Sequence, residues 1–298
     1  MTRNPGPSPP MTHWNQVTII GTGLVGGSLG LALKAAGLTA RIVGVGHRQA
    51  TLDEALARGA ADAVTLDASA GVRGSDLVVL ATAVGLFEAT LRQVAGDLEA
   101  GAVVIDVGST KADVVRTLEP LMPDGCTFVG CHPIAGSEKR GIAYAQAALF
   151  QGATCVVTPT DRTPADVLRR VVDTWEGLGM AVRQVSPAVH DRLLAEVSHL
   201  PHVVASVLVQ AVGKEAELLI GPGWADTTRV ASGDPALWRD ILMSNSAGIA
   251  AAIEKYQQVL TDLRSAVSQR DAARIEAFLA EAKQRRDRLI RQKNHPAR

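Results

Sequence analysis

Between residues 17 and 186, short and almost wholly apolar runs alternate with alanine- and leucine-rich stretches of helical character. "VTIIGTG", "ARIVGVG", "DLVVLATA" and "AVVIDVGS" read as strands, and "LGLALKAAGL", "TLDEALARGA", "LFEATLRQVAGDL" and "ADVVRTLEPLM" as the helices between them. A strand that is apolar at every position needs cover on both faces, and strands separated by helices pair in parallel. "TFVGCHP", "ATCVVTP" and "AVRQVSP" are further strand candidates, and no strand pattern follows Pro187. The chain therefore divides into a doubly wound, mostly parallel α/β domain over 14–186 and an all-α domain over 187–293. Residues 1–13 are dense in proline, lack the apolar centre of a signal peptide and read as a disordered tail.

Within the α domain, "AVHDRLLAEVSHLPHVVASVLVQAVGKEAELL" reads as one long helical stretch, apolar on nearly every side in its middle. In a small helical domain such a helix implies cover by a neighbouring subunit. "DPALWRDILMSNSAGIAAAIEKYQQVLTDLRSAVSQ" opens on an aspartate cap with proline at the first helical position. Lys+Arg and Asp+Glu are 30 each and aromatics are 3%, so neither charge nor stacking surface points to nucleic acid. No apolar run reaches the roughly 18 to 20 residues that span a bilayer, so no membrane partner is expected. Cys126, Cys131 and Cys155 show no CxxC or finger spacing and read as reduced thiols of a cytosolic protein.

"IIGTGLVGGSLG" supplies Gly21, Gly23 and Gly26 of a GxGxxG turn, directly after a strand and opening a helix. In that context the motif marks a Rossmann-type dinucleotide site, with Leu24 and Val25 at the helix N-terminus. Gly21 permits the tight turn, Gly23 the approach of a pyrophosphate, and Gly26 the packing of helix on strand. Ala81 and Thr82, at the end of "DLVVLATA", belong to the same crevice. About twenty residues beyond the turn an NAD-preferring site carries an acidic residue. This chain has Gly46, His47 and Arg48 there, so Arg48 is placed to pair with a 2′-phosphate and NADP is accepted alongside NAD.

Two later strands end in polar groups, where open parallel sheets bind ligands. They are "VIDVGSTK", with Asp106, Ser109 and Lys111, and "CHPIAGSEKRG", with His132. The α domain adds "SHLPH", "GWADTTR" and "SGDPALW". Pro201 removes a backbone donor, which frees the carbonyl near Val197 and predicts a kink. His199 and His202 lie three apart but have no HExxH or carboxylate companion, so no metal site is expected, and His199 reads as a core histidine.

Taken in order, "IIGTGLVGGSLGLALK", "DVGSTK", "HPIAGSEKRG", "SHLPH" and "DTTRVASGDPALWRDI" make the chain resemble the prephenate and arogenate dehydrogenases of tyrosine biosynthesis. The resemblance covers nearly the whole chain after the tail. It implies a helical domain that forms an intertwined homodimer, and oxidative decarboxylation of prephenate to 4-hydroxyphenylpyruvate with hydride transfer to NAD(P)+. By match to the family's HPxAG motif, His132 takes or hydrogen-bonds the proton of the ring hydroxyl, and Ser109 binds that hydroxyl or holds the imidazole. Arg229 offers its planar fork to a substrate carboxylate, a role that suits arginine better than lysine. His202 is implied to reach the substrate from the helical domain, with Ser137, Glu138 and Ser198 at the pocket rim and Trp238 lining it or packing nearby.

Ala225, just before Asp226, leaves no extra carboxylate for an ammonium, which favours prephenate over arogenate or dual use. Asp226 itself reads as a helix cap or structural partner. After Gln269 one charged helix remains, too little for the regulatory or mutase domains that some members carry. Two other functions stay open on the sequence. A 3-hydroxyacid-type dehydrogenase would place a lysine on the first long helix of the second domain, whereas the nearest lysine here is Lys214. A non-catalytic nucleotide sensor would need no constellation of His132, Ser109 and Arg229.

Overall fold

The computed structural model describes residues 13–136 and 139–294. One sheet of eight strands has the order β3-β2-β1-β4-β5-β6-β7-β8. Its strands are β1 (Trp14–Ile20), β2 (Thr39–Val45), β3 (Ala63–Thr65), β4 (Leu77–Leu80), β5 (Val103–Asp106), β6 (Thr127–Ile134), β7 (Thr154–Thr158) and β8 (Ala181–Gln184). β1 to β6 pair in parallel; β7 pairs antiparallel with β6 and parallel with β8. The order of the first six strands is that of a dinucleotide-binding Rossmann sheet. Its direction of winding reverses at β1 and β4, whose C-terminal residues Ile20 and Leu80 are register partners, as are Leu80 and Asp106 one strand further.

The central strands are apolar at successive positions because helices cover both faces. Val17, Ile19, Leu77, Val79, Val103 and Ile105 join one buried cluster, whereas Ile20, Val78, Leu80 and Val104 join another on the opposite face. Between the strands run α1 (Leu24–Ala35), α2 (Gln49–Ala57), α3 (Ala68–Val72), α4 (Phe87–Val94), α5 (Ala112–Leu118) and α6 (Ala165–Gly177). Burying each large apolar side chain contributes about 1.5–3 kcal/mol. Trp14, fully buried, also donates its indole N–H to Thr174 Oγ1 at 2.9 Å, which ties β1 to α6. β3 and α3 are only three and five residues long, too short to leave a period in the sequence.

From Pro187 onward the described elements are helical: α7 (Pro187–Leu194), a π turn (Ala195–His199), α8 (Leu200–Ala211), α9 (Pro222–Thr228), α10 (Pro235–Ser244), α11 (Ser246–Ser268) and α12 (Ala272–Asn294). The change of character thus comes at Pro187, whereas the chain's two compact units divide between Ser246 and Ala247. α7 packs on α5, and α10 on α5 and the 3₁₀ turn Val84–Leu86, which holds them in the first unit. Ser186 caps α7 by accepting from Val189 N at 3.3 Å, and Asp234 caps α10 by accepting from Leu237 N at 2.7 Å, each followed by proline. Asp226 lies inside α9 rather than at its cap, which is Gly221.

The carbonyl freed by Pro201 is accommodated by the π turn immediately before it, a local widening rather than a break. The run Pro187–Ala211 is consequently continuous, and by length and composition it is long and apolar enough to cross a membrane. That corrects the expectation that no stretch is. His190, Asp191, His199 and His202, all on this run, are nevertheless buried in unit one.

Candidate active site

The glycine turn is built by exclusion. Gly21 has φ +106°, a left-handed conformation that side chains disfavour, and a Cβ there would lie 2.6 Å from the Ala81 carbonyl oxygen. A Cβ on Gly26 would lie 2.0 Å from the Gly21 oxygen and 3.0 Å from Ile19 Cγ2, so α1 packs on β1 only through a bare backbone. At Gly23 a Cβ would meet no protein atom within 4 Å. Gly23 is also the N-cap of α1 and makes no side-chain cap, so the helix's first N–H groups face open space. This cradle fits a pyrophosphate. Gly23, Leu24, Val25 and Ala81 line a cavity of about 750 Å³ that also contains Ser109, His132, Ser198, His199, Arg229 and Trp238.

His132 sits near the C-terminal end of β6 and is 8% exposed. Its Nδ1 lies 2.9 Å from His190 Nε2, and His190 Nδ1 lies 2.8 Å from Asp191 Oδ1. The Asp191 carboxylate also accepts the backbone N–H groups of Lys111 and Ala112, each at 2.8 Å, at the start of α5. Burial pushes Asp191 up, but His190 and those two N–H groups outweigh it and hold the carboxyl below its usual range. Burial, the Lys111 ammonium and the neighbouring histidines His190 and His199 hold His132 well below the ordinary imidazole value, so it is neutral at pH 7. Burial likewise lowers His190 against the pull of Asp191.

Beneath His132 lies a fully buried ion pair between Lys111 and Asp106. Asp106 also accepts from Gly108 N at 2.8 Å and Cys131 N at 3.1 Å, and Lys111 Nζ donates to the Thr110 carbonyl at 2.8 Å. Burial raises the Asp106 carboxyl against these donors. The pair ties the end of β5 to the strand that carries His132.

Asn245, between α10 and α11, joins the helical wall to the same network. Its Nδ2 donates to the Asp191 carbonyl at 2.8 Å and lies 3.2 Å from His199 Nδ1. His199 Nε2 is buried without a hydrogen-bond partner among the described residues, and burial lowers this histidine to about 4. Buried as it is, the residue still lines the cavity. His199 is thus part of the cavity wall and not merely a core histidine. His202 lies one groove away: its ring stacks on Trp238 with centroids 3.5 Å apart and planes 9° apart. The two line an apolar groove of about 470 Å³ with Val207 and Leu242, and His202 is absent from the larger cavity's wall, which Trp238 reaches. Arg229 is exposed on the cavity rim, and Arg140 pairs with Asp234 across the same cavity.

Of the residues picked from sequence, the cavity brings together Gly23, Leu24, Val25, Ala81, Ser109, His132, Ser198, Arg229 and Trp238. Thr82 follows Ala81 at the end of β4, and exposed His47 and Arg48 follow β2. Ser137 and Glu138 lie outside the described residues. His190, Asp191 and Asn245 do not stand out in the sequence. A His-Asp pair on the first capped helix after the last strand is the available signal.

A family model described as "Prephenate dehydrogenase, nucleotide-binding domain" matches residues 29–184, and one described as "Prephenate dehydrogenase, dimerization domain" matches residues 186–281. A prephenate dehydrogenase of Bacillus subtilis is 33% identical over 93% of this chain and 77% of its own length. A cyclohexadienyl dehydrogenase of Zymomonas mobilis is 32% identical over 88% of this chain and 91% of its own. The crystal structure of prephenate dehydrogenase from A. aeolicus, in complex with hydroxyphenyl propionate and NAD+, superposes with a TM-score of 0.86 at 32% identity. It covers 92% of this chain and 98% of that one. Motifs, sheet order and cavity agree with these matches: the chain belongs to the prephenate dehydrogenase family.

Proposed function

We propose that this chain oxidises and decarboxylates prephenate to 4-hydroxyphenylpyruvate, with hydride transfer to NAD(P)+. The observation that carries this is one cavity holding both the bare glycine cradle and a neutral buried histidine, His132, at a neighbouring strand end. A bound nicotinamide supplies the hydride acceptor. The residues supply position and a proton acceptor. As hydride leaves C4 of the ring, the hydroxyl there becomes more acidic, and a neutral imidazole takes its proton. Ser109 lies on the same wall to orient that hydroxyl, and Arg229 on the rim offers two parallel N–H groups to a carboxylate. Loss of the C1 carboxylate as CO2 then makes the ring aromatic, the phenolate oxygen takes the proton back from the imidazole, and aromatisation renders the step irreversible.

Prephenate is favoured over arogenate because exposed Ala225 brings no carboxylate to meet a side-chain ammonium. NADP is accepted because Arg48, exposed at the N-cap of α2 just beyond β2, has no acidic neighbour in sequence nearer than Asp53 to repel a 2′-phosphate. The active form is a homodimer. Val197, Val207, Leu218, Leu219 and Met243 are exposed apolar residues that a second copy covers, which accounts for the apolar run Pro187–Ala211 without a membrane. Three unpaired thiols suit a reducing cytoplasm. Mixing the purified protein with prephenate and each dinucleotide, and following absorbance of the reduced nicotinamide, tests the proposal. Arogenate and a 3-hydroxyacid serve as competing substrates. Reduction with either competitor and none with prephenate would overturn it.

A further inference from the structure

We propose that His190 and Asp191 are positioning residues that lock His132 into the tautomer protonated on Nδ1, so that Nε2 always presents a lone pair to the substrate hydroxyl. The inference rests on the function proposed above and deepens it.

Each link follows from the one before. Asp191 is ionised, held by two backbone N–H donors and His190, and a carboxylate only accepts. His190 Nδ1 must therefore carry the proton of the 2.8 Å contact. Burial and the nearby Lys111 ammonium keep His190 neutral at pH 7, so its Nε2 has no proton and accepts. His132 Nδ1, 2.9 Å away, must then donate. Only Nε2 of His132 remains basic.

The alternative tautomer would put two lone pairs face to face between the rings and would direct an N–H at the substrate oxygen, unable to remove its proton. When Nε2 takes that proton, His132 becomes an imidazolium with its Nδ1–H still given to His190. The Asp191 charge, two hydrogen bonds away, opposes the burial and the Lys111 ammonium that disfavour this cation. Asp191 itself stays ionised, and no proton need travel beyond His132. The backbone bonds from Lys111 and Ala112 to Asp191 make the lock rigid, because the carboxylate cannot rotate without uncapping α5. Asn245 secures the same residue through its carbonyl.

Two measurements test the lock. In the intact protein at neutral pH, two-bond ¹⁵N–¹H correlation of the imidazoles, assigned with a His132→Asn variant, reports the tautomer directly. A pyrrole-type Nδ1 and pyridine-type Nε2 at His132 are expected, and the reverse pattern overturns the proposal whatever the activity. Second, Asp191→Asn removes the charge and leaves a single amide oxygen for three N–H groups, those of His190 Nδ1, Lys111 and Ala112, so the hold on the His190 tautomer is weakened and the imidazolium at His132 loses its counter-charge. It should lower kcat with prephenate by about 10²–10⁴-fold while leaving KM and dinucleotide Kd within about threefold. Because the Asp191→Asn change also weakens the α5 cap, His190→Leu, which leaves Asp191 in place and offers His132 Nδ1 no acceptor, is the companion variant. It should lose at least about tenfold in kcat at unchanged KM. Wild-type kcat in a folded His190→Leu protein overturns the lock, whereas an intact protein inactive on prephenate overturns the underlying function instead.

Discussion

Two glycines of the same turn should respond to the same substitution in opposite ways. In Gly23→Ala the added Cβ meets no protein atom within 4 Å, and the backbone there has φ −79°. The folded chain therefore tolerates the methyl, with a stability change within about 1 kcal/mol. The open space it enters is where the pyrophosphate would approach, so the cost falls on the complex. Overpacking a close contact costs about 1–3 kcal/mol, which is a loss of roughly 5- to 150-fold in dinucleotide affinity. In Gly26→Ala the Cβ would fall 2.0 Å from the Gly21 oxygen and 3.0 Å from Ile19 Cγ2, inside the folded protein itself. The same overpacking now appears as lost stability, at about 2–4 °C of Tm for each kcal/mol in a chain of this size. Thermal melts without ligand, paired with fluorescence titration by reduced dinucleotide, separate the two effects. If Gly23→Ala binds like the parent, or if both variants lose Tm equally, the turn is not a dinucleotide cradle.

Arg48→Ala should lower kcat/KM with NADP by about tenfold, the value of one exposed charge-assisted contact, and leave that with NAD unchanged. A retained NADP efficiency would remove Arg48 from cofactor choice. Acid should weaken the fold through its buried histidines. His132, His190, His199 and His202 are all held below 6.5, so the unfolded chain binds more protons as pH falls through that value. Stability is therefore full above about 6.5 and is lost progressively on the way down to the folded values. For His199, lowered to about 4, the loss between about pH 7 and pH 5 comes to about 2 kcal/mol. Urea unfolding at the two pH values measures it, and equal midpoints would contradict buried neutral histidines.

What can be read from the sequence is what local chemistry dictates. The glycine turn is legible because each glycine answers a contact within its own strand–turn–helix unit. The apolar strands are legible because burial on both faces leaves no polar position in them. His132 stands out as a titratable group at the end of such a strand. Its partners do not, because His190 and Asp191 reach it across 58 residues of chain, through the packing of α7 on α5. Motif matching assigns His202 to the substrate and Ser198 to the pocket rim and leaves His199 in the core, whereas in the structure Ser198 and His199 line the cavity and His202 stacks on Trp238 in the adjoining groove. Asn245 is hidden inside what reads as one long helix. The chain breaks there, φ −120° and ψ 36°, and spends the interruption on hydrogen bonds to Asp191 and His199.

The decisive measurement is kcat of His132→Asn with prephenate at saturating dinucleotide, alongside the variant's dinucleotide Kd. Asparagine keeps a polar side chain but has no basic nitrogen, so kcat should fall by about 10²–10⁴-fold while Kd stays within about twofold of the parent. Turnover near the parent's, in a folded variant that binds dinucleotide, would show that the proton leaves the substrate by another route.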